Sequence, residues 1–140
     1  SGLHLVRLGR AEVRLVSPPG LDLPDPITVA ALDRVPLVLP TSGTDRRVAL
    51  DRFFSSRGIV PRVAIESDER SVWLEAVLAG LASCVWHSVE SLRVPAGRIE
   101  VRSFEPAMFQ ELSAVHRDDT TAATGLLLEV LRQLAELGGP

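Results

Sequence analysis

The chain has 140 residues, enough for one domain with a sizeable core, and its 46% apolar and 24% charged content is that of an ordinary soluble globular protein. Eighteen acids against fifteen bases, all of them Arg, leave a net charge of −3 and no basic block, so this segment is a poor candidate for holding DNA or RNA by itself and its partner is expected to be small. The single cysteine, Cys84, excludes an internal disulfide and fits a reducing cytoplasm, while no apolar run reaches membrane-span length and no signal-peptide pattern opens the chain.

Taken in order, Leu3 to Leu8 and Glu12 to Val16 alternate apolar and polar residues, which predicts two half-buried strands around Gly9. Pro18, Pro19 and Gly20 end the second, and a Pro-rich connector with a short helical stretch at Val29 to Leu32 follows. Pro36 to Leu39 reads as a buried strand that stops at Pro40. The polar turn Thr41-Ser42-Gly43-Thr44 then opens a helix from Asp45 to Arg57, which Gly58 ends as a left-handed cap and Pro61 keeps from continuing. Arg62 to Ser67 is the next strand, with Glu66, Ser67 and Asp68 at its carboxyl end, where open α/β sheets bind ligands. Ser71 to Ala79 repeats as a helix, with Val72, Ala76 and Ala79 on one side and Trp73, Val77 and Gly80 on the next. Leu81 to Trp86 is a near-continuous apolar run, as in a strand covered on both faces. Three strand-helix steps in succession imply a parallel sheet with right-handed crossovers. Beyond His87 come a helical turn in SVESLR, strands at Arg98 to Phe104 and Gln110 to His116, and the strongest helix of the chain, Thr120 to Leu137, capped by Asp119 or Thr120 and ended by Gly138-Gly139.

The turn at residues 41–44 supports two readings. A helix N-terminus has unpaired N–H groups and a partial positive charge, so a carboxylate or phosphate is favoured there. Thr41, Ser42 and Thr44 add hydroxyl donors, and Gly43 allows close backbone approach. Ser42 followed by Asp45 also fits a capping box, which would spend the same groups on the helix itself. The enzyme reading is weak. His4, His87 and His116 are far apart, no HExxH, GxSxG, P-loop or CxxC pattern occurs, and His87 with Glu90 lacks a third metal ligand, so no catalytic residue, metal or cofactor is expected. Cys84, mid-strand, reads as an inert buried hydrophobe, and Trp73 and Trp86 as packing residues.

The succession of a PLVLP strand, a Ser/Thr-Gly turn with an Arg, a helix ending in Phe-Phe, and Gly-x-x-Pro resembles the effector-binding domain of LysR-type transcriptional regulators. The E-S strand end, the stretch EAVLAGLASCVWHSVESL and the final His-Arg-Asp strand with its amphipathic helix extend the resemblance over nearly the whole chain. Two features depart from the family pattern. Ala82-Ser83 and His87 stand where the family has Gly-Ile and Pro. The chain also begins inside the effector domain, without the helix-turn-helix, linker helix and first half-lobe of a complete regulator.

The resemblance implies an α/β, periplasmic-binding-protein-like (type 2) two-lobed fold, one lobe complete with a mostly parallel sheet and the other partial. In that arrangement residues 1–17 form part of the first lobe and a hinge strand, 18–97 the second lobe, and 98–140 the return strand and the end of the first lobe. By position, Pro40, Thr41, Ser42, Gly43 and Thr44, with Glu66, Ser67 and His87, would contact a small organic anion in the inter-lobe cleft, which favours the ligand reading of the turn. The implied protein is a cytoplasmic bacterial regulator that reaches DNA only through a domain missing here, pairs as a homodimer or higher homo-oligomer, and touches no membrane. The rival readings are a solute-binding protein of a transporter and a ligand-independent oligomerisation module. Exposed apolar edges left by the missing strands lead to the expectation that the chain pairs with another copy or rearranges its incomplete lobe.

Overall fold

A computed structural model of the chain describes residues 3–117. Its elements run β1 (Leu3–Ser17), a 3-10 helix (Val29–Arg34), β2 (Pro36–Leu39), α1 (Asp45–Ser56), β3 (Arg62–Glu66), α2 (Arg70–Leu78), β4 (Cys84–His87), a 3-10 turn (Val89–Ser91) and β5 (Glu100–Arg117). The helix expected at Thr120 to Leu137 lies outside the described residues. The chain forms two compact units, one of Arg14–Trp86 with Arg93–Pro106, the other of Ser1–Val13, His87–Leu92 and Ala107–Pro140. Strands β1, β4 and β5 form a three-stranded sheet in the order β4-β1-β5.

The two strands expected around Gly9 are one strand, and so are the two expected between Arg98 and His116. Both differences have the same cause. β1 and β5 are long neighbours, and the ladder between them holds each extended through the local break, Gly9 in one and Pro106 in the other. Pro106 cannot donate to a ladder, which is why it reads as a strand end in isolation. Across this pair Arg10 lies over the Phe109 ring at 4.1 Å and Arg7 pairs with Glu111.

In the larger unit, β2 and β3 pair in parallel, as the strand-helix repeat requires. Leu37, Val38 and Leu39 are all buried, and Ser83 bridges to Leu37 on the other side of β2, again in parallel. The pairing of β4 itself is with β1, so the apolar run Leu81 to Trp86 splits, its start bridging β2 and its end joining the long sheet. On α2 the buried stripe is Trp73, Ala76 and Val77, at helical spacing, while Val72 and Ala79 face outward. On α1 only Phe54 is buried. Gly58, at φ +68°, closes α1 as expected: its neighbour Ile59 donates to Phe54 O and Gly58 itself to Ser55 O, a left-handed turn that costs glycine little.

The Pro-rich connector is tied down rather than loose. Arg102 on β5, 7% exposed, donates to the carbonyls of Leu21 and Leu23 at 3.1 and 3.3 Å and pairs with Glu100 at 2.7 Å. Glu100 in turn accepts the Gly20 N–H at 3.0 Å, and Ile27 bridges in parallel to Phe104. These donors satisfy a run of backbone with no secondary structure of its own. They also hold the Glu100 carboxyl below the usual carboxylate range, the Gly20 N–H first and Arg102 second.

Candidate functional site

The parallel register places the candidate residues. Leu39, the last residue of β2, stands opposite Glu66, the last of β3, and the ladder continues through Ser67 N–H to Leu39 O at 3.0 Å. Between Leu37 and Val38 the register slips, so that Val63 and Ile65 oppose successive residues of β2 and Ala64 is the extra one. Because strand side chains alternate faces, one such slip decides which face every later side chain takes. Here it sets Glu66 and then Asp68 beside the turn that leaves Pro40.

That turn holds carboxylates. Ser42 donates its N–H to Glu66 Oε1 at 3.0 Å and its hydroxyl to the same oxygen at 2.5 Å, and Arg47 Nη1 reaches it at 3.0 Å. Thr41 N–H donates to Asp68 Oδ1 at 3.0 Å. Arg47 is fixed by further bonds, from Nη1 to Pro40 O at 2.9 Å and from Nε to Asp51 at 3.0 Å one helical turn on. With three donors on one oxygen, the Glu66 carboxyl is held below its usual range, chiefly by the Ser42 hydroxyl, then by the Ser42 N–H and the Arg47 charge.

The capping box expected of Ser42 and Asp45 is absent. Thr44 is the cap: its Oγ accepts the Arg47 N–H at 3.3 Å and donates to Thr41 O at 2.8 Å. The reason is the register, which draws the Ser42 hydroxyl away to Glu66. By helix geometry the N–H groups of Asp45 and Arg46 still have no intrahelical acceptor. Gly43 sits at φ +87°, with nothing within 4 Å of where a Cβ would lie, so the crest of the turn is open.

Pro40, Thr41, Ser42, Gly43, Thr44, Glu66 and Ser67 therefore come together in the larger unit. Ser67 serves the start of α2, its hydroxyl accepting the Glu69 N–H at 3.1 Å and its carbonyl the Trp73 indole N–H at 2.6 Å. His87 belongs to the other unit, half-buried, with Nδ1 3.3 Å from the Ser88 hydroxyl. Ser88 is left-handed at φ +56°, uncommon for a residue with a side chain, at the turn where the sequence departs from the family pattern.

Trp73 and Trp86 are buried and meet edge to face at 6.5 Å, as packing residues. Cys84 is buried, and burial pushes its thiol up to about 12. Among the described residues no cluster of three or more His, Cys, Asp or Glu could hold a metal, and no helix is long and apolar enough to cross a membrane. Sequence reading missed Asp68 as the partner of Thr41, Arg47 as the third donor to Glu66, and the arginines at the starts of α1 and α2. Arg47 was visible only as part of a turn pattern.

A strand-to-helix turn at the carboxyl end of two parallel strands thus grips two carboxylates of the chain itself, Glu66 and Asp68. The sequence profile of the LysR substrate binding domain matches residues 1–136, and the chain belongs to that family. Its type 2 periplasmic-binding-protein-like fold is the one expected from the sequence. Among solved structures, the chain is similar to the LysR family transcriptional regulator CbnR, with a TM-score of 0.73 and 20% identity over 94% of this chain and 47% of that one. It is also similar to the regulatory domain of Synechocystis PCC6803 CcmR in complex with 2-PG, with a TM-score of 0.74 and 13% identity over 96% and 67%. The effector binding domain of QuiR in complex with shikimate matches with a TM-score of 0.73 and 12% identity over 99% and 68%. At these identities the likeness is one of fold. The chain spans about half the length of CbnR, and no curated protein matches it.

Proposed function

We propose that the chain is the effector-sensing part of a LysR-type bacterial transcriptional regulator, that its turn at residues 40–44 takes the anionic group of a small organic effector, and that the outcome is passed to a helix-turn-helix DNA-binding domain absent from this chain. The observation that carries the site is that the turn already grips a carboxylate, Glu66, with two groups of Ser42 and the Arg47 guanidinium. An effector carboxylate offered the same donors gains charge-assisted hydrogen bonds by exchanging with Glu66 or by extending the cluster over the open crest at Gly43. Such a ligand shifts a conformational equilibrium only by its differential affinity for the two states, so the displaced Glu66 is itself part of the signal. His87 is proposed as a further contact. The regulator works in the cytoplasm and has no catalytic role. The fold matches to regulators, one of them crystallised with its target DNA, favour this reading over a transporter's solute-binding protein.

The same reading includes pairing with a second copy. Among the described residues β3 ends the two-stranded sheet, Val63 on it and Val60 just before it are 39% and 82% exposed, and α1 buries only Phe54. An open strand edge with apolar neighbours is a surface that proteins cover. Sedimentation equilibrium should give a dimer, and a monomer at high concentration would contradict the pairing. For the site, amide spectra recorded during a titration with small organic carboxylates should move Thr41, Ser42 and Gly43 first. Shifts confined to residues remote from the turn would remove it as the effector site.

A further inference from the structure

Arg46 is the second residue of α1 and Arg70 the first of α2. Both positions lie at the positive end of a helix dipole, where a cation is unfavourable and an anion is favoured. Each guanidinium stands over a buried indole: Arg46 Cζ is 5.6 Å from the Trp73 ring centroid and Arg70 Cζ 4.2 Å from that of Trp86. The two rings meet edge to face, 6.5 Å apart and at 80° to each other, and each carries one of the two cations. Among the described residues neither arginine is ion-paired with a carboxylate, although the chain has eighteen acids. Glu66 is engaged by Ser42 and Arg47, and Asp68 by Thr41. Arg70 Nε is buried with no hydrogen-bond partner. Burial lowers the Arg70 pKa, and the charge of Arg46 lowers it further, so the two guanidiniums lie within each other's field.

Two like charges, each at a helix start and neither neutralised, are costly together unless a third group of opposite sign joins them. We infer that Arg46 and Arg70, one held over Trp73 and the other over Trp86, form a second oxyanion site that takes a doubly charged group, a phosphate or a pair of carboxylates, on the bound effector. Guanidinium forks match such oxygens two at a time, and stacking on the rings fixes their planes before the ligand arrives. The indoles are buried and so hold the cations rather than stack on the ligand. This deepens the effector reading and rests on it for the identity of the ligand, but not for the test.

The test is a titration of the 140-residue chain with inorganic phosphate above pH 7 at constant ionic strength, followed by thermal unfolding, with chloride as the control. The parent should show a saturable rise in Tm with phosphate only. In Arg46→Gln, at an exposed position where folding is not at risk, the half-saturating concentration should rise about tenfold or more, as it should in Arg70→Lys, which keeps the charge and loses the fork. Arg46→Glu should abolish the response and raise Tm without phosphate, because the new carboxylate neutralises Arg70. Equal half-saturation in the parent and Arg46→Gln, or a fall in Tm for Arg46→Glu, would overturn the inference. An organic anion whose effect is lost in a Thr41→Ala, Ser42→Ala double variant but kept in Arg46→Gln would overturn it and leave the effector reading standing. No stabilisation by any anion, phosphate included, would sink both.

Discussion

Ser42 gives both its backbone N–H and its hydroxyl to a single oxygen of Glu66, at 3.0 and 2.5 Å. The two residues are 24 apart in sequence, joined by the register of two parallel strands, and their contact has a consequence for pH. The Glu66 carboxyl is held below its ordinary value of 4.5 by Ser42 and Arg47. A carboxyl whose pKa is lower folded than unfolded stabilises the fold when ionised. That contribution is complete above the unfolded value and disappears as pH falls through the folded one. Urea midpoints of the parent and Glu66→Gln should therefore differ at neutral pH and converge below pH 4.5. A gap that persists unchanged well into the acid range would contradict the pairing.

Arg102 carries a second prediction. Its buried guanidinium satisfies the carbonyls of Leu21 and Leu23 and the Glu100 carboxylate. Arg102→Met leaves those acceptors without their donor and should cost about 2–4 kcal/mol in urea unfolding. Arg57→Met is the control. That arginine is exposed over the Phe53 ring at 3.9 Å, and its loss should cost no more than about 1 kcal/mol.

On α1, Phe54 is the only buried side chain, and Val48 on the same helix is exposed. Phe54→Ala should cost about 3–5 kcal/mol, and Val48→Ala should stay within about 0.5 kcal/mol of the parent in the unpaired chain. If the pair buries α1, the Val48 variant should instead weaken self-association, which sedimentation of the same variant would read.

Cys84 should not react in the folded protein. With the thiol buried and pushed up to about 12, almost no thiolate exists near neutral pH. Labelling with iodoacetamide at pH 8 should proceed only as fast as the chain unfolds, and its rate should rise with urea. Rapid labelling without denaturant would show the strand to be open.

Much of the larger unit is legible because its punctuation is local. Pro40, Gly58, Pro61 and Gly80 mark the ends of β2, α1 and α2, and apolar spacing identifies what lies between. The long strands are not legible, since Gly9 and Pro106 break the pattern locally while pairing between residues roughly a hundred positions apart, as Arg7 with Glu111, overrides them. The candidate site is legible in membership and not in roles. Residue types brought Thr41, Ser42 and Glu66 to notice, but which one holds which depends on the extra residue at Ala64, a feature of pairing and not of either strand alone. The same holds for Arg46 and Arg70, which become neighbours only when α1 and α2 both start at the same end of the β2–β3 pair.

The measurement closest to the central claim is a thermal-shift screen of small organic anions, aromatic carboxylates and amino acids included, against the parent chain and the Thr41→Ala, Ser42→Ala double variant. At ligand concentrations a hundredfold above Kd, binding to the native state alone adds about 2.7 kcal/mol, enough for a shift of several degrees. The account predicts that at least one anion stabilises the parent and that the shift is lost in the double variant. Stabilisation of equal size in both proteins would contradict it, because the turn would then hold Glu66 for structure alone.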